Sequence, residues 1–305
     1  MELRHLRFFV AVAEEGSLLA AAQRRLHTSQ PSLSRQIRDL EIEVGVKLLE
    51  RQARGVALTA AGKVFFDHAR LALAQVETAI DGARRADQPE KVALSMGFLA
   101  GQEVVWLPHA LRILREEWPG AEITLSSQSS PELAAGLMRG KLDIAFLRPE
   151  TNATDLSFKP LAKEPLIAVL PAGHRLTARK KIRPQDLARE IYVSSARTSP
   201  VLKAVIDDYA RKSGITLKAE YEGENLPAAM SLVTSTGGVT LIPLYAQNML
   251  TPSVVARALD GVPPTIDLVL GYRSENPSAL LRRFLSRADE LVENVEGQSV
   301  IRYAV

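Results

Sequence analysis

Apolar residues in the first 58 positions recur at helical spacing. Leu3, Leu6, Phe9, Val10 and Ala13 make one stripe, which predicts an amphipathic helix broken at Gly16. Ser17 stands where a second helix needs a cap, and that helix carries Ala20, Ala21, Ala22 and Leu26. In HTSQPSLSRQIRDLE, residues 27 to 41, Leu33, Ile37 and Leu40 repeat at i, i+4 and i+7. With Val44 they fall within roughly 60° of one another around a helix. Arg35 points away from that stripe, with Ser32, Arg38 and Asp39 beside it. Pro31 suits a first helical turn, where its missing N–H costs nothing, and Ser29 or Gln30 occupies the cap. The helix ends near Gly45, and VKLLERQARGVALTAAG then reads as two short strands joined by a turn containing Arg54-Gly55. Three helices and a hairpin with arginines at its tip predict a winged helix-turn-helix over residues 1–58. Its last helix would enter a major groove and its wing would reach the DNA backbone.

Thr59 caps a long helix in which Phe65, Ala69, Ala72, Val76, Ala79 and Ala83 keep the 4-3-4-3-4 spacing of a coiled-coil seam. A second line, Phe66, Leu73 and Ile80, is placed to pack on the first domain. The polar RRADQPEK after it reads as a linker, so residues 59–91 form a dimerisation helix and hinge. The same spacing also suits a helix buried inside one globule.

From Val92 the texture changes to alternating strands and helices. VALSMGF, AEITLS and KLDIAFL are strands separated by the helices VVWLPHALRILREEW and PELAAGLMRG, an order that implies a parallel sheet with right-handed crossovers. A second set follows, with PLIAVLP, EIYVSS, the helix SPVLKAVIDDYARKSG, LKAEYE, the helix NLPAAMSLVTSTGG, VTLIP and TIDLVLGY. A last helix runs from about Ser278 to Val295. The fold class is α/β overall. Residues 92–305 are expected to form a two-lobed, periplasmic-binding-protein-like domain with ligand beyond the carboxyl ends of its strands.

Composition narrows the function classes. The chain has 305 residues, 46% hydrophobic and 24% charged, enough for two globular domains with substantial cores. It has no cysteine, which excludes disulfides, thiolate metal sites and a thiol nucleophile, and fits a reducing compartment. The apolar run FFVAVA is too short for a signal peptide and no later stretch can span a bilayer, so the expectation is a cytoplasmic protein without a membrane role. A net charge of +3 decides little by itself. Arginines and lysines crowd the first 54 residues, but seven acidic residues from Glu2 to Glu50 offset most of them, which allows a local basic face and no polybasic tail. The five histidines are scattered, and HExxH, GxSxG, P-loop and GxGxxG patterns are absent. No enzyme activity, metal or cofactor is expected.

The runs LRHLRFFVAVAEEGS, LHTSQPSLSRQIRDLE, GVKLLER and LTAAG carry a resemblance to the LysR-type transcriptional regulators. In the second half GFLAGQEVVWLP, RGKLDIAFLRPE and GGVTLIP extend it over essentially the whole chain. Within that family the chain looks like regulators of aromatic catabolism such as the phenylpropionate-pathway type. One departure is QRR between the paired alanines and Leu26, where two residues are usual; it leaves the register of the second helix open.

The resemblance implies that the Ser29–Asp39 helix reads an operator. Arg35 would take a guanine edge and Gln30 an adenine edge or a phosphate, while Ser29, Pro31, Ser32, Ser34 and Arg38 surround them and the serines position the backbone. Arg51 and Arg54 of the wing would meet phosphate or a narrow minor groove. The alternative is a solvated face on which Arg35 and Asp39 pair. Ile42 falls on the exposed side, and packing on the linker helix would account for it. The resemblance further implies an effector cleft. Leu99, Ala100, Gly101, Gln102, Ser129, Ser130 and Arg148 would line one lobe, opposite Ser195, Thr198 and Ser199 and the helix start at Asn225 and Pro227. Hydroxyls, helix-terminal N–H groups and one arginine suit a carboxylate, an aromatic one included; Arg148 could equally pair with Asp143 or Glu150. Many related regulators carry a hydroxyl residue at the position of Gly101, and here Gln102 and Glu103 would select a different effector. The implied protein is a homodimer or homotetramer that binds and bends promoter DNA and acts on RNA polymerase. The competing reading is a two-lobed receptor without a transcriptional role.

Overall fold

The structure is a computed structural model and describes residues 1–52, 55–86, 93–150, 153, 155–195, 198–276 and 278–297. The chain divides into two compact units, Met1–Pro89 and Glu90–Val305.

In the first unit α1 (Leu3–Glu15) ends at Gly16, whose φ of 61° is a conformation that glycine adopts without a Cβ penalty. The Ser17 hydroxyl then accepts the Ala20 N–H at 3.3 Å and starts α2 (Leu18–Ala20). This helix runs straight into a π-helical turn, Ala21–Arg25. There the Leu26 N–H bonds to Ala21 O and the Thr28 N–H to Ala22 O, each at 3.0 Å, and His27 takes φ 48°. The extra residue of QRR is thus absorbed as a wide turn, which keeps Ala21 and Ala22 buried. α3 (Gln30–Val44) follows, capped by the Ser29 hydroxyl on the Ser32 N–H at 3.4 Å. The wing is β1 (Leu49–Gln52) paired antiparallel with β2 (Gly55–Leu58). A Cβ on Gly55 would lie 2.3 Å from the Gly16 carbonyl oxygen, so glycine is what lets the wing close against the α1–α2 turn.

Glu41 joins α3 to the wing. Its Oε1 accepts the N–H groups of Leu48 at 2.9 Å and Leu49 at 3.1 Å, and its Oε2 takes the Lys47 ammonium at 2.6 Å. Burial alone would raise the carboxyl's pKa, but the Lys47 ammonium and the two N–H groups outweigh it, and the net shift is downward. A folded-state pKa below the unfolded one gives stability that is present above the ordinary glutamate range and is lost as pH falls through the folded value. Accordingly, Glu41→Ala is expected to cost roughly 1–3 kcal/mol. The gap between thermal melts of wild type and variant should narrow as pH falls below the ordinary glutamate range; a constant gap from pH 7 to pH 3 would contradict the assignment.

α4 (Ala60–Ala86) completes this unit. Phe65 and Phe66 meet Phe9 edge-on at 5.2 and 6.4 Å, and Ala69, only 3% exposed, and Leu73 join the same core of Leu6, Val12, Leu33, Ile37 and Leu40. This corrects the coiled-coil seam at Phe65 and Ala69. The aromatic pair carries the largest apolar area near the helix start, and its burial fixes the helix rotation on its own unit. Ala72, Ala79 and Ala83 remain exposed and Val76 half-buried. Ile80, expected to face the first domain, is 45% exposed, and Ile42 is 72% exposed rather than covered by α4.

The second unit begins with β3 (Ala93–Leu99), α5 (Glu103–Glu117), β4 (Glu122–Gln128), α6 (Ser130–Met138) and β5 (Ile144–Leu147), with β3 parallel to both neighbours. β6 (Leu156–Pro171) is shared by both lobes. The second lobe adds β7 (Lys181–Ile182), α7 (Pro184–Leu187), β8 (Tyr192–Ser194), α8 (Pro200–Lys212), β9 (Ala219–Glu222), α9 (Leu226–Thr236), β10 (Thr240–Pro243), a 3-10 turn at Leu244–Met249 and β11 (Val254–Leu259). β12 (Thr265–Arg273) then returns to the first lobe between β5 and β6, and α10 (Ala279–Ser286) and α11 (Ala288–Gly297) cover that lobe's core. The sheet order is β4-β3-β5-β12-β6-β11-β7, with β10 on the other edge of β6.

Three details differ from the sequence pattern. TIDLVLGY, expected in the second set alone, pairs with β5 of the first lobe through its later residues, while Ile266 at its start packs in the second-lobe core. The strand expected at PLIAVLP begins nine positions earlier, in LSFKPLAKE, where Pro160 and two lysines hide the alternation. The single final helix is two, broken at Arg287. Because β6 and β12 pass from one lobe to the other, the lobes share two strands instead of following one another as separate modules.

Candidate functional site: a DNA-reading helix and an effector cleft

Ser29, Gln30, Pro31, Ser32, Arg35, Arg38 and Asp39 lie exposed on one side of α3, and Ser34 is half-buried. The apolar stripe Leu33, Ile37 and Leu40 holds the opposite side in the core. Among the described residues Arg35 has no ion-pair partner, so the pair with Asp39 is not formed and the guanidinium is uncommitted. β1 contains Arg51, but its side chain and the whole of Arg54 lie outside the described residues.

In the second unit a cavity of about 550 Å³ opens at the carboxyl ends of β3, β4, β8 and β10. Leu99, Ala100, Ser129, Arg148, Ser195, Thr198, Ser199 and Asn225 all line it. Gly101, Gln102, Ser130 and Pro227 do not. Pro227 faces a separate groove beside α9. Ser130 is buried, and its hydroxyl accepts the Arg148 N–H at 3.0 Å, a structural bond at the end of β5. Gln102 is fully buried beneath the cleft. Gly101 has φ 92°, and a Cβ there would lie 2.3 Å from the Met249 sulfur. The space that a hydroxyl side chain would need is therefore filled from the second lobe. Glu103 does not enter the cleft as a selector. Its carboxylate accepts the Gly101 N–H at 2.8 Å and the Ser127 hydroxyl at 3.3 Å.

Several cleft hydroxyls are already engaged. Ser195 donates to Leu241 O at 3.2 Å and Thr198 to Glu224 O at 3.1 Å. Ser129 gives its hydroxyl at 2.7 Å and its N–H at 3.0 Å to Glu132, and these bonds hold the Glu132 carboxyl below the usual range. Asn225 caps α9 by accepting the Ala228 N–H at 2.9 Å.

Arg148 pairs with neither Asp143 nor Glu150. Its Nη2 donates to Glu164, and both side chains are nearly sealed, at 3% and 2% exposure. Glu164 also accepts from Gln102 Nε2 at 3.0 and 3.3 Å, and Gln102 Oε1 accepts the Trp106 indole N–H at 3.0 Å. The Arg148 guanidinium lies 5.6 Å from the centre of the Tyr245 ring, a cation–π distance. The Tyr245 hydroxyl crosses from the second lobe to donate to Ala100 O at 3.1 Å, and burial pushes its pKa up to about 12. Arg148 Nη1 is buried without a hydrogen-bond partner. Arg148 is the cationic residue on the wall of a cavity that also carries polar side chains, Gln128, Glu132 and Glu224 among them, and has an apolar wall of Leu202, Leu226, Ile242 and Ile266. Tyr245 and this apolar wall were missed from sequence. They come from helices and strands whose core periodicity gave no hint of which residue ends at the cleft.

A fold that couples an exposed helix-turn-helix face to a two-lobed α/β pocket defines a ligand-responsive DNA-binding regulator. Comparison with known proteins agrees. Residues 3–63 match the family described as bacterial regulatory helix-turn-helix protein, lysR family, and residues 87–292 match the LysR substrate binding domain. The chain belongs to the LysR family of transcriptional regulators, which sets the receptor reading aside. It is 38% identical to the Hca operon transcriptional activator HcaR of Escherichia coli strain K12, over 97% of this chain and 99% of that one. It is 35% identical to the transcriptional regulator AlsR of Bacillus subtilis strain 168, over 93% and 94%. A crystal structure of CbnR, a LysR family regulator, covers 96% of this chain and 99% of its own at 26% identity and a TM-score of 0.69. These relatives are regulators rather than enzymes. Among the described residues no helix is long and apolar enough to cross a membrane.

Proposed function

We propose that the protein is a cytoplasmic regulator that holds a promoter operator with α3 and its wing and changes transcription when a small carboxylate, aromatic ones included, enters the cleft. The observation that carries the effector reading is the buried, unpartnered Nη1 of Arg148 at the cavity wall. A carboxylate oxygen there completes the guanidinium's hydrogen bonding, and the apolar wall receives the rest of the molecule. The likeness to a transcriptional activator supports activation as the response. The exposed stripe of Leu71, Ala72, Ala79, Ile80 and Ala83 on α4 supports association of two chains, and pairing of two dimers makes the tetramer that bends promoter DNA and presents it to RNA polymerase. Effector binding shifts the population between two arrangements only if it favours one of them.

DNase I footprinting of the protein's own upstream region, with and without a panel of carboxylates, tests this. The expected result is a protected tract with hypersensitive positions that shortens with one class of acid. Protection that no compound alters would leave operator binding intact and defeat the effector assignment.

A further inference from the structure

The cleft's cation is balanced from behind. Arg148 is the cationic side chain among the described residues lining the cavity, and Glu164 sits directly against it with both side chains buried. Glu164 is fixed in turn by Gln102, and Gln102 by Trp106. Three further carboxylates belong to the neighbourhood. Glu132, its pKa lowered by the Ser129 hydrogen bonds, and Glu224 are on the cavity wall, and Glu103 lies beyond Gly101 at the start of α5. An oxygen bonded to Nη1 stands within about 6 Å of the Glu164 carboxylate, because both guanidinium nitrogens belong to one carbon. A ligand's negative charge therefore gains attraction from Arg148 and loses a comparable amount to Glu164, in a setting screened little by water.

From this geometry we infer that Glu164 is a specificity-determining residue. It cancels the Arg148 charge, so the cleft recognises an acceptor oxygen rather than an anion, and it takes neutral carbonyl compounds as well as carboxylic acids. The inference rests on the effector reading of Arg148 given above and extends it to the class of molecule admitted. A neutral amide oxygen satisfies Nη1 without opposing Glu164. A carboxylate satisfies Nη1 more strongly but meets that opposition. The two offset, and charge ceases to discriminate.

The test uses full-length protein and matched acid–amide pairs: acetate with acetamide, benzoate with benzamide, and 3-phenylpropanoate with 3-phenylpropanamide. Binding is followed by titration calorimetry and by tryptophan fluorescence, to which Trp106 contributes at the end of the Gln102–Glu164 chain. In wild type the acid and the amide of the pair that binds are expected to agree in affinity within about threefold. In Glu164→Gln the acid should tighten by at least about tenfold while the amide moves by less than about threefold. The wild-type comparison needs no variant, so the inference stays testable if Glu164→Gln folds poorly. A wild-type preference for the acid above about tenfold, or an acid affinity unchanged by Glu164→Gln, would overturn the role of Glu164 while leaving the carboxylate effector in place. Absence of binding by every acid and amide to both proteins would overturn the role of Glu164 and the effector reading together.

Discussion

Arg35→Ala lowers operator affinity by roughly 1–3 kcal/mol and flattens the preference for operator over scrambled DNA. The basis is geometric. Leu33, Ile37 and Leu40 hold one side of α3 in the core, which fixes Arg35 on the opposite, exposed side. Among the described residues no carboxylate claims its guanidinium, so no internal ion pair has to break before it meets a base edge. Two N–H groups can then bond one guanine through O6 and N7. Fluorescence anisotropy with both DNAs at two salt concentrations separates this from a phosphate contact. Loss of a base contact lowers operator binding selectively, whereas loss of a phosphate contact lowers binding to both DNAs and reduces the salt slope by about one. An unchanged operator-to-scrambled ratio in the variant would remove Arg35 from the reading set.

Arg148→Met destabilises the second unit by roughly 3–5 kcal/mol, because it strands a buried carboxylate. Glu164 is 2% exposed, and among the described residues Gln102 remains to bond it. The double variant Arg148→Met with Glu164→Met should recover most of that loss, since removing both charges leaves an apolar pair of similar volume. Trp106 and Trp118, the chain's two tryptophans, both lie in this unit, so their fluorescence reports its melting without signal from the first unit. Equal melting temperatures for wild type and the single variant would show that the pair is not sealed from solvent.

The readability of the sequence differed between the two halves. Short-range patterns placed the helices of the first unit, the wing strands, the Gly16 and Gly45 ends and the Ser29 cap, because each depends on residues within a few positions of one another. The exposed face of α3 was legible for the same reason. The rotation of α4 was not. The spacing of Phe65 and Ala69 fits a seam between chains and a core contact equally well, and the position of Phe9 decided for the core. In the cleft, the strand ends and loops that bear the lining were named through the resemblance to the family. The use made of each polar group could not be read from it.

What the sequence determined by itself is the set of local elements, the order of the α/β units, and the family, whose motifs lie in contiguous runs. What the tertiary structure alone decided is which polar atoms are already consumed. Ser130 is used by the Arg148 backbone, Gln102 by Glu164 and Trp106, and the space above Gly101 by Met249. Arg148 found its partner 16 positions away on β6, rather than in the nearby Asp143 or Glu150. The physical reason is that a buried charge must be compensated by whatever group the fold brings into contact. Contact between strands is set by register and lobe topology, and neither is written in any short run of the chain.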